Sequence, residues 1–159
     1  MVDVVDALDG IGYFDIGLMS EDIRPLWEGM TFGDVAFTVR CVPANRPMWK
    51  QDTTEELIGA HGIRFKETGN VRSTDQIQEG HVIVTDTDST KEVGQWGSAN
   101  AMGMIERGAV GIITDGYCRD TAELKIQKTP ICARAVGCTI IPGRIQVVET
   151  QTPVGIGGA

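Results

Sequence analysis

The sequence predicts an α/β fold built on parallel strands. Three observations carry this: a compact β-branched run, HVIVTD (81–86), a helical segment opening near Ser98, and a second apolar run, AVGIITD (109–115). Strand, helix and strand at this spacing form a βαβ unit with a right-handed crossover.

The elements follow in order. The opening VDVVDALDGIG has Val2, Val5, Ala7 and Leu8 near helical spacing, with Gly10 and Gly12 to stop it. The chain then turns at Pro25 and Gly29 and runs as a strand over about 35–42. Residues 45–78 are polar and interrupted by Pro47, Gly62 and Gly69, which predicts a loop-rich segment with one short helix near 55–60. Gly80 precedes the first core strand and the polar TDTDST closes it. Ser98 is the expected N-cap of the next helix, with Ala101, Met102 and Ile105 as its apolar face and Gly108 as its stop. TPICARAV (129–136) is a third strand, entered by Pro130, and RIQVVET (144–150) a fourth. At the end, Gly157-Gly158 reads as a hairpin turn whose second strand is missing.

Composition narrows the function. The 159 residues suit one domain with a single core, and 42% hydrophobic content is that of a soluble globular chain. A formal net charge of −8 argues against a nucleic-acid groove, which needs a basic face. No apolar run reaches the length of a membrane span, and the first residues lack the layout of a signal peptide. Cys41, Cys118, Cys132 and Cys138 form no CxxC pair, so neither a zinc site nor a redox dithiol is indicated. Reduced thiols in a cytoplasmic protein are the expectation.

Ligands of open α/β sheets bind beyond the carboxyl ends of the strands. Three segments meet there on this reading. Asp86 and Asp88 follow the first core strand; Gly97, Ser98, Ala99 and Asn100 start the helix; Asp115, Arg119 and Asp120 end the second strand. Free N–H groups and the dipole at a helix start favour a carboxylate or phosphate. Arg119 is a planar, bidentate partner for a carboxylate. Asp120 is a hard oxygen ligand of the kind that holds Mg²⁺ together with waters. Gly94 and Gly97, around Trp96, leave space for a ligand to approach the backbone. Each residue also has a plainer role: Ser98 as a cap, Asp86, Asp88 and Asp115-Gly116 as turn formers, Arg119 and Asp120 as an ion pair. His61 and His81 have no partner at ligand spacing and receive no role; Trp27 and Trp49 read as packing residues. Cys118, beside Arg119, has the setting for a lowered thiol pKa, but no nearby His supports a nucleophile. From the residues alone the reading stops at an anion site with room for a metal.

Over GQWGSANAMGMIERGAVGIITDGYCRD the sequence resembles the RraA-like family, which joins the regulator of ribonuclease activity A with the 4-hydroxy-4-methyl-2-oxoglutarate aldolases. DALD, IRPLWEGMTFGDVAFTVRCVPA, GHVIVTD and TPICARAV extend the resemblance over most of the chain. It implies a three-layer β/β/α swivelling-domain fold, a homotrimer or a hexamer made of two trimers, and a site at a subunit boundary. The aldolase branch cleaves 4-hydroxy-2-oxo diacids to pyruvate and decarboxylates oxaloacetate. By that resemblance Arg119 holds the pyruvyl carboxylate and carbonyl, and Asp120 holds the metal, Mg²⁺ or Mn²⁺. Ala99 and Asn100 receive the substrate carboxylate on their N–H groups, within the binding stretch that also contains Gly97 and Ser98. The implied chemistry is a metal-stabilised enolate, with a metal-bound water as base.

The sequence departs from the family twice. Ser98 stands where the aldolases carry an acidic residue, and Asp86, Asp88 and Asp115 are the candidates to replace it. The chain also stops at Ala159, before the closing strands that the resemblance predicts and the acidic side chain they bring to the neighbouring subunit's site. The expected organisation is therefore a single RraA-like domain over 1–159 without those strands. The expected function is a metal-dependent lyase acting on a 2-oxo acid, and the alternative is a non-catalytic regulator. A quinone methyltransferase, another label attached to this family, is disfavoured because no glycine-rich cofactor loop follows a first strand.

Overall fold

The computed structural model describes residues 2–45, 50, 52–67, 74–88 and 92–159. In chain order its elements are α1 (Val2–Gly10), β1 (Arg24–Pro25), β2 (Ala36–Pro43), α2 (Thr54–Glu67), β3 (Val82–Asp86) and β4 (Gly94–Trp96). They continue with α3 (Ser98–Ile105), β5 (Gly111–Cys118), α4 (Thr121–Ile126), β6 (Ile131–Val136) and β7 (Ile145–Thr150). The predicted α/β class and its βαβ core are present.

The seven strands form one mixed sheet in the order β1-β6-β5-β3-β2-β7, with β4 paired to β5 off this path. Pairing is parallel between β2 and β3, β3 and β5, and β5 and β6; β1 and β7 join antiparallel at the two edges. Central parallel strands are covered on both faces, which is why β3 and β5 read as apolar runs rather than alternating ones. In β2 the pattern does alternate: Phe37, Val39 and Cys41 are buried, and the outward Arg40 pairs with Glu149 across the edge at 2.9 Å. Those three side chains meet Ile83, Ile112, Ile131, Leu124, Met104 and Ala101 in one core.

Several sequence expectations change. Pro25 lies in β1, not in a turn; an edge strand tolerates its missing N–H. α2 runs to Glu67, well past the short helix expected near 55–60. Its Gly62 has open space where a side chain would sit, and an isolated helical glycine costs only about 1 kcal/mol. Asp115 and Gly116 lie inside β5, which extends to Cys118, so they form no turn. The extension is possible because β4 replaces β3 as a neighbour there. β3 pairs with β5 only as far as Thr114, and β4 then lies parallel along Tyr117 and Cys118. Met102 is 41% exposed, and α3 buries Ala101 and Met104 instead. The Gly157-Gly158 turn is present: both residues have positive φ, and Ile156 and Ala159 exchange two backbone hydrogen bonds around them.

His81 stacks on Phe37 with ring centroids 5.3 Å apart, and its Nδ1 accepts the Gln78 N–H. The Trp27 indole donates to the Thr129 carbonyl at 3.0 Å. Both are structural contacts. Trp49 and the side chain of His61 lie outside the described residues. Among the described residues, no helix is long and apolar enough to cross a membrane.

Candidate functional site

Two strand ends and two helix starts converge at one end of the sheet. β4 leads through Gly97 into α3, and β5 leads through Arg119 and Asp120 into α4. The Arg119 N–H donates to the Trp96 carbonyl at 2.9 Å, which ties the two exits together, and α3 packs on α4. The Arg119 Nε lies 3.7 Å from Asp120 Oδ2, with the two side chains 35% and 40% exposed. Asp120 Oδ2 also accepts the Ser98 N–H at 3.3 Å.

The start of α3 differs from the expectation. Its N-cap is Gly97, in extended conformation at φ −110° and ψ 169°, and no side chain of its own helix caps it. Ser98 is the first helical residue, and Asp120 supplies the acceptor from the neighbouring helix. The space at Gly97 belongs to this contact: a Cβ there would lie 2.5 Å from Asp120 Oδ2 and 3.2 Å from Arg119 Nε. At Gly94 a Cβ would collide with the Thr139 carbonyl oxygen. Both glycines thus admit other parts of the chain to the backbone. Ala99 is exposed and Asn100 half-buried, and their N–H groups lack intrahelical acceptors because they stand in the first turn.

Asp120 itself adopts a left-handed conformation, φ 54° and ψ 36°, which Asp tolerates better than most residues. It stands at the N-cap of α4, yet its carboxylate makes no cap hydrogen bond to that helix. A half-exposed carboxylate turned away from its own helix suits a hard cation that keeps most of its water. Among the described residues, no group of three or more His, Cys, Asp or Glu side chains is close enough to hold a metal.

The carboxylates of Asp115 and Asp86 are engaged elsewhere. Asp115 is 2% exposed, and its Oδ1 accepts both the Thr87 N–H at 2.7 Å and the Thr87 hydroxyl at 2.8 Å. It braces the point where β3 leaves β5. Asp86 accepts the Asp88 N–H at 2.8 Å, and Asp88 has φ 61°; the pair shapes a turn. Neither contact reaches Ser98. Cys118 also departs from expectation: burial pushes its thiol pKa up, with a smaller opposing effect from its own backbone hydrogen bond. A buried, protonated thiol is a poor nucleophile.

Two features escaped the sequence. The Ser98 hydroxyl donates to Glu123 Oε2, bringing a carboxylate from the first turn of α4 to the start of α3. Beside α3 lies a small cavity of about 30 Å³, lined by Gln95, Trp96, Asn100 and Met104 among others. Gln95 Oε1 and Trp96 Nε1 are buried and have no hydrogen-bond partner among the described residues. A larger hollow of about 340 Å³, bordered by Ala44, Glu92 and Arg144, contains none of the predicted site residues.

Known structures share this architecture. A structure of an uncharacterized protein from Pseudomonas syringae pv. tomato matches with a TM-score of 0.74 at 23% identity, over 99% of this chain and 64% of that one. RraAS2 of Streptomyces coelicolor, described as an unusual member of the RNase ES inhibitor RraA family, matches with a TM-score of 0.72 at 18% identity, over 99% and 70% of the two chains. The RNA-processing inhibitor RraA from Thermus thermophilis gives 0.66 at 16% identity, over 98% and 80%. At these identities the likeness establishes the fold, and the chain spans 64% of the length of the Pseudomonas protein. A search of the curated proteins found no match. The RraA-like family (Aldolase/RraA), by contrast, matches residues 1–159 from end to end, and the chain belongs to that family.

Proposed function

We propose that this protein is a divalent-metal-dependent C–C lyase, releasing pyruvate from a 4-hydroxy-2-oxo acid and decarboxylating oxaloacetate. The observation that supports this reading is the junction of Arg119, Asp120 and the start of α3. A cation, a guanidinium and free helix N–H groups are what a 2-oxo acid requires, and this corner of the fold offers a place for each. Asp120 is the residue that would hold Mg²⁺ or Mn²⁺. When bound, the cation supplies Lewis-acid polarisation of the 2-oxo group.

The remaining work falls to the chain. Arg119 binds the substrate carboxylate through its terminal nitrogens, which have no other partner among the described residues. Its Nε stays against Asp120, so the group that holds substrate is fixed relative to the group that holds metal. The N–H groups of Ala99 and Asn100 receive carboxylate charge at the positive end of α3. Gly97 keeps the floor low enough for Asp120 and Arg119 to occupy the same corner. Trp96, buried beneath, anchors Arg119 through its carbonyl. Assembly into trimers or pairs of trimers, with the site at a subunit boundary, belongs to the same proposal.

The test is pyruvate release from oxaloacetate in Mg²⁺ or Mn²⁺, repeated after chelation and with Arg119→Ala. Turnover that requires metal and is lost in the variant supports the lyase. Absence of turnover in folded protein refutes it and leaves the partner-binding role of the family's non-catalytic members.

A further inference from the structure

Residues 120–123 read Asp-Thr-Ala-Glu, the pattern of a helix that caps itself, with an N-cap acid and a Glu three residues later. Such a pair normally turns inward, the first side chain onto the N3 amide and the Glu back onto the N-cap amide. Here neither does. Asp120 makes no side-chain cap hydrogen bond, and its Oδ2 accepts the Ser98 N–H instead. Glu123 Oε2 accepts the Ser98 hydroxyl. One residue of α3 therefore gathers both carboxylates of α4, its amide on one and its hydroxyl on the other. Among the described residues Glu123 makes no ion pair, so nothing neutralises the second charge. Asp120 has Arg119; Glu123 has only a neutral hydroxyl.

We propose that Glu123 is a positioning residue of the candidate site: tethered by Ser98, it orients water in the outer shell of the cation held at Asp120. This rests on the metal-site reading above. It also gives Ser98 a definite task. The serine presents a carboxylate from α4 at the start of α3, where by the family resemblance an acidic side chain on α3 itself would otherwise stand. The Asp86 and Asp115 carboxylates do not fill that role, because they accept hydrogen bonds from Asp88 and Thr87 beyond the end of β3.

The experiment titrates Mn²⁺ into the whole chain, without substrate, and reads the free ion by electron paramagnetic resonance. It compares wild type, Glu123→Gln, Ser98→Ala, the double variant and Asp120→Asn. Asparagine keeps the left-handed conformation at 120 accessible, and glutamine keeps the length at 123, so folding is preserved and is checked by circular dichroism. Outer-shell partners typically contribute 10–100-fold to metal affinity. The expected results are a loss of roughly tenfold for Glu123→Gln, a smaller loss for Ser98→Ala, and a double variant no weaker than Glu123→Gln, because the serine acts through the glutamate. Wild-type affinity in Glu123→Gln, alongside weakened binding in Asp120→Asn, overturns the role of Glu123 and leaves the metal site standing. Additive losses from Ser98→Ala and Glu123→Gln overturn the tether. No Mn²⁺ binding by wild type removes the metal site and this proposal together.

Discussion

Replacing Gly97 with alanine separates the stability of this corner from its function. The backbone at Gly97 is extended, so alanine brings no conformational strain, and restricting the unfolded chain returns about 0.4–1 kcal/mol. The added methyl would sit 2.5 Å from Asp120 Oδ2 and 3.2 Å from Arg119 Nε, both at the ends of movable, part-exposed side chains. They can give way, at the cost of their mutual contact and the Ser98 hydrogen bond. A part-exposed ion pair contributes about 0–1 kcal/mol and a hydrogen bond about 1 kcal/mol. The net destabilisation is therefore under about 1.5 kcal/mol, a fall in Tm of no more than about 6 °C for a chain of this size. Gly94→Ala is the contrast. Its methyl strikes the Thr139 carbonyl, which is backbone and cannot swing aside, so overpacking of about 1–3 kcal/mol is expected. Thermal melts followed by circular dichroism, paired with Mn²⁺ titration, decide the matter. Gly97→Ala should melt close to wild type and lose at least about tenfold in Mn²⁺ affinity, while Gly94→Ala should melt lowest. Wild-type Mn²⁺ binding by Gly97→Ala, or a lower Tm for it than for Gly94→Ala, would refute the reasoning.

Other expectations follow from the same contacts. Thr87→Val removes a hydroxyl donor from the buried Asp115 carboxylate, and should cost about 1–3 kcal/mol in a denaturant melt; an unchanged midpoint would mean that Asp115 draws its support elsewhere. Arg119→Lys keeps the charge but loses the planar fork, so oxaloacetate turnover should fall by at least about tenfold with the fold intact. Burial pushes the Cys41 thiol up to about 12, from an ordinary value of 9.0. The unfolded chain ionises first, so the stability tied to Cys41 is complete below pH 9 and is lost as pH rises toward 12, which pH-dependent melts will read. With a thiol reagent at pH 8, the exposed Cys138 should react at once, and the buried Cys41 and Cys118 only after denaturation.

The parts of the fold that sequence pattern revealed are those whose burial is one-dimensional. β3 and β5 are covered on both faces and therefore appear as apolar runs, with α3 between them. β4 was invisible because its three residues, Gly94, Gln95 and Trp96, carry no strand pattern; its place is set by the vacant edge of β5 beyond Thr114. α4 buries only Leu124 and gives no periodic signal. Arg119 and Asp120 were legible because they follow the carboxyl end of a buried strand. Glu123 was not, since its spacing from Asp120 signals a self-capped helix, and only the tertiary approach of Ser98 redirects both carboxylates. Ser98 differs from its expected role for the same reason: a serine before an apolar segment predicts a cap, but here Gly97 takes that position, where Asp120 and Arg119 approach the backbone.

The central claim is that an anion and a divalent cation meet at Arg119 and Asp120. Isothermal titration of oxalate, a stable mimic of the pyruvate enolate, tests it most directly, with and without Mn²⁺. Oxalate should bind only when Mn²⁺ is present, and binding should be lost in both Asp120→Asn and Arg119→Ala. Equal oxalate affinity in the presence and absence of Mn²⁺, or unchanged binding in Asp120→Asn, would contradict the account.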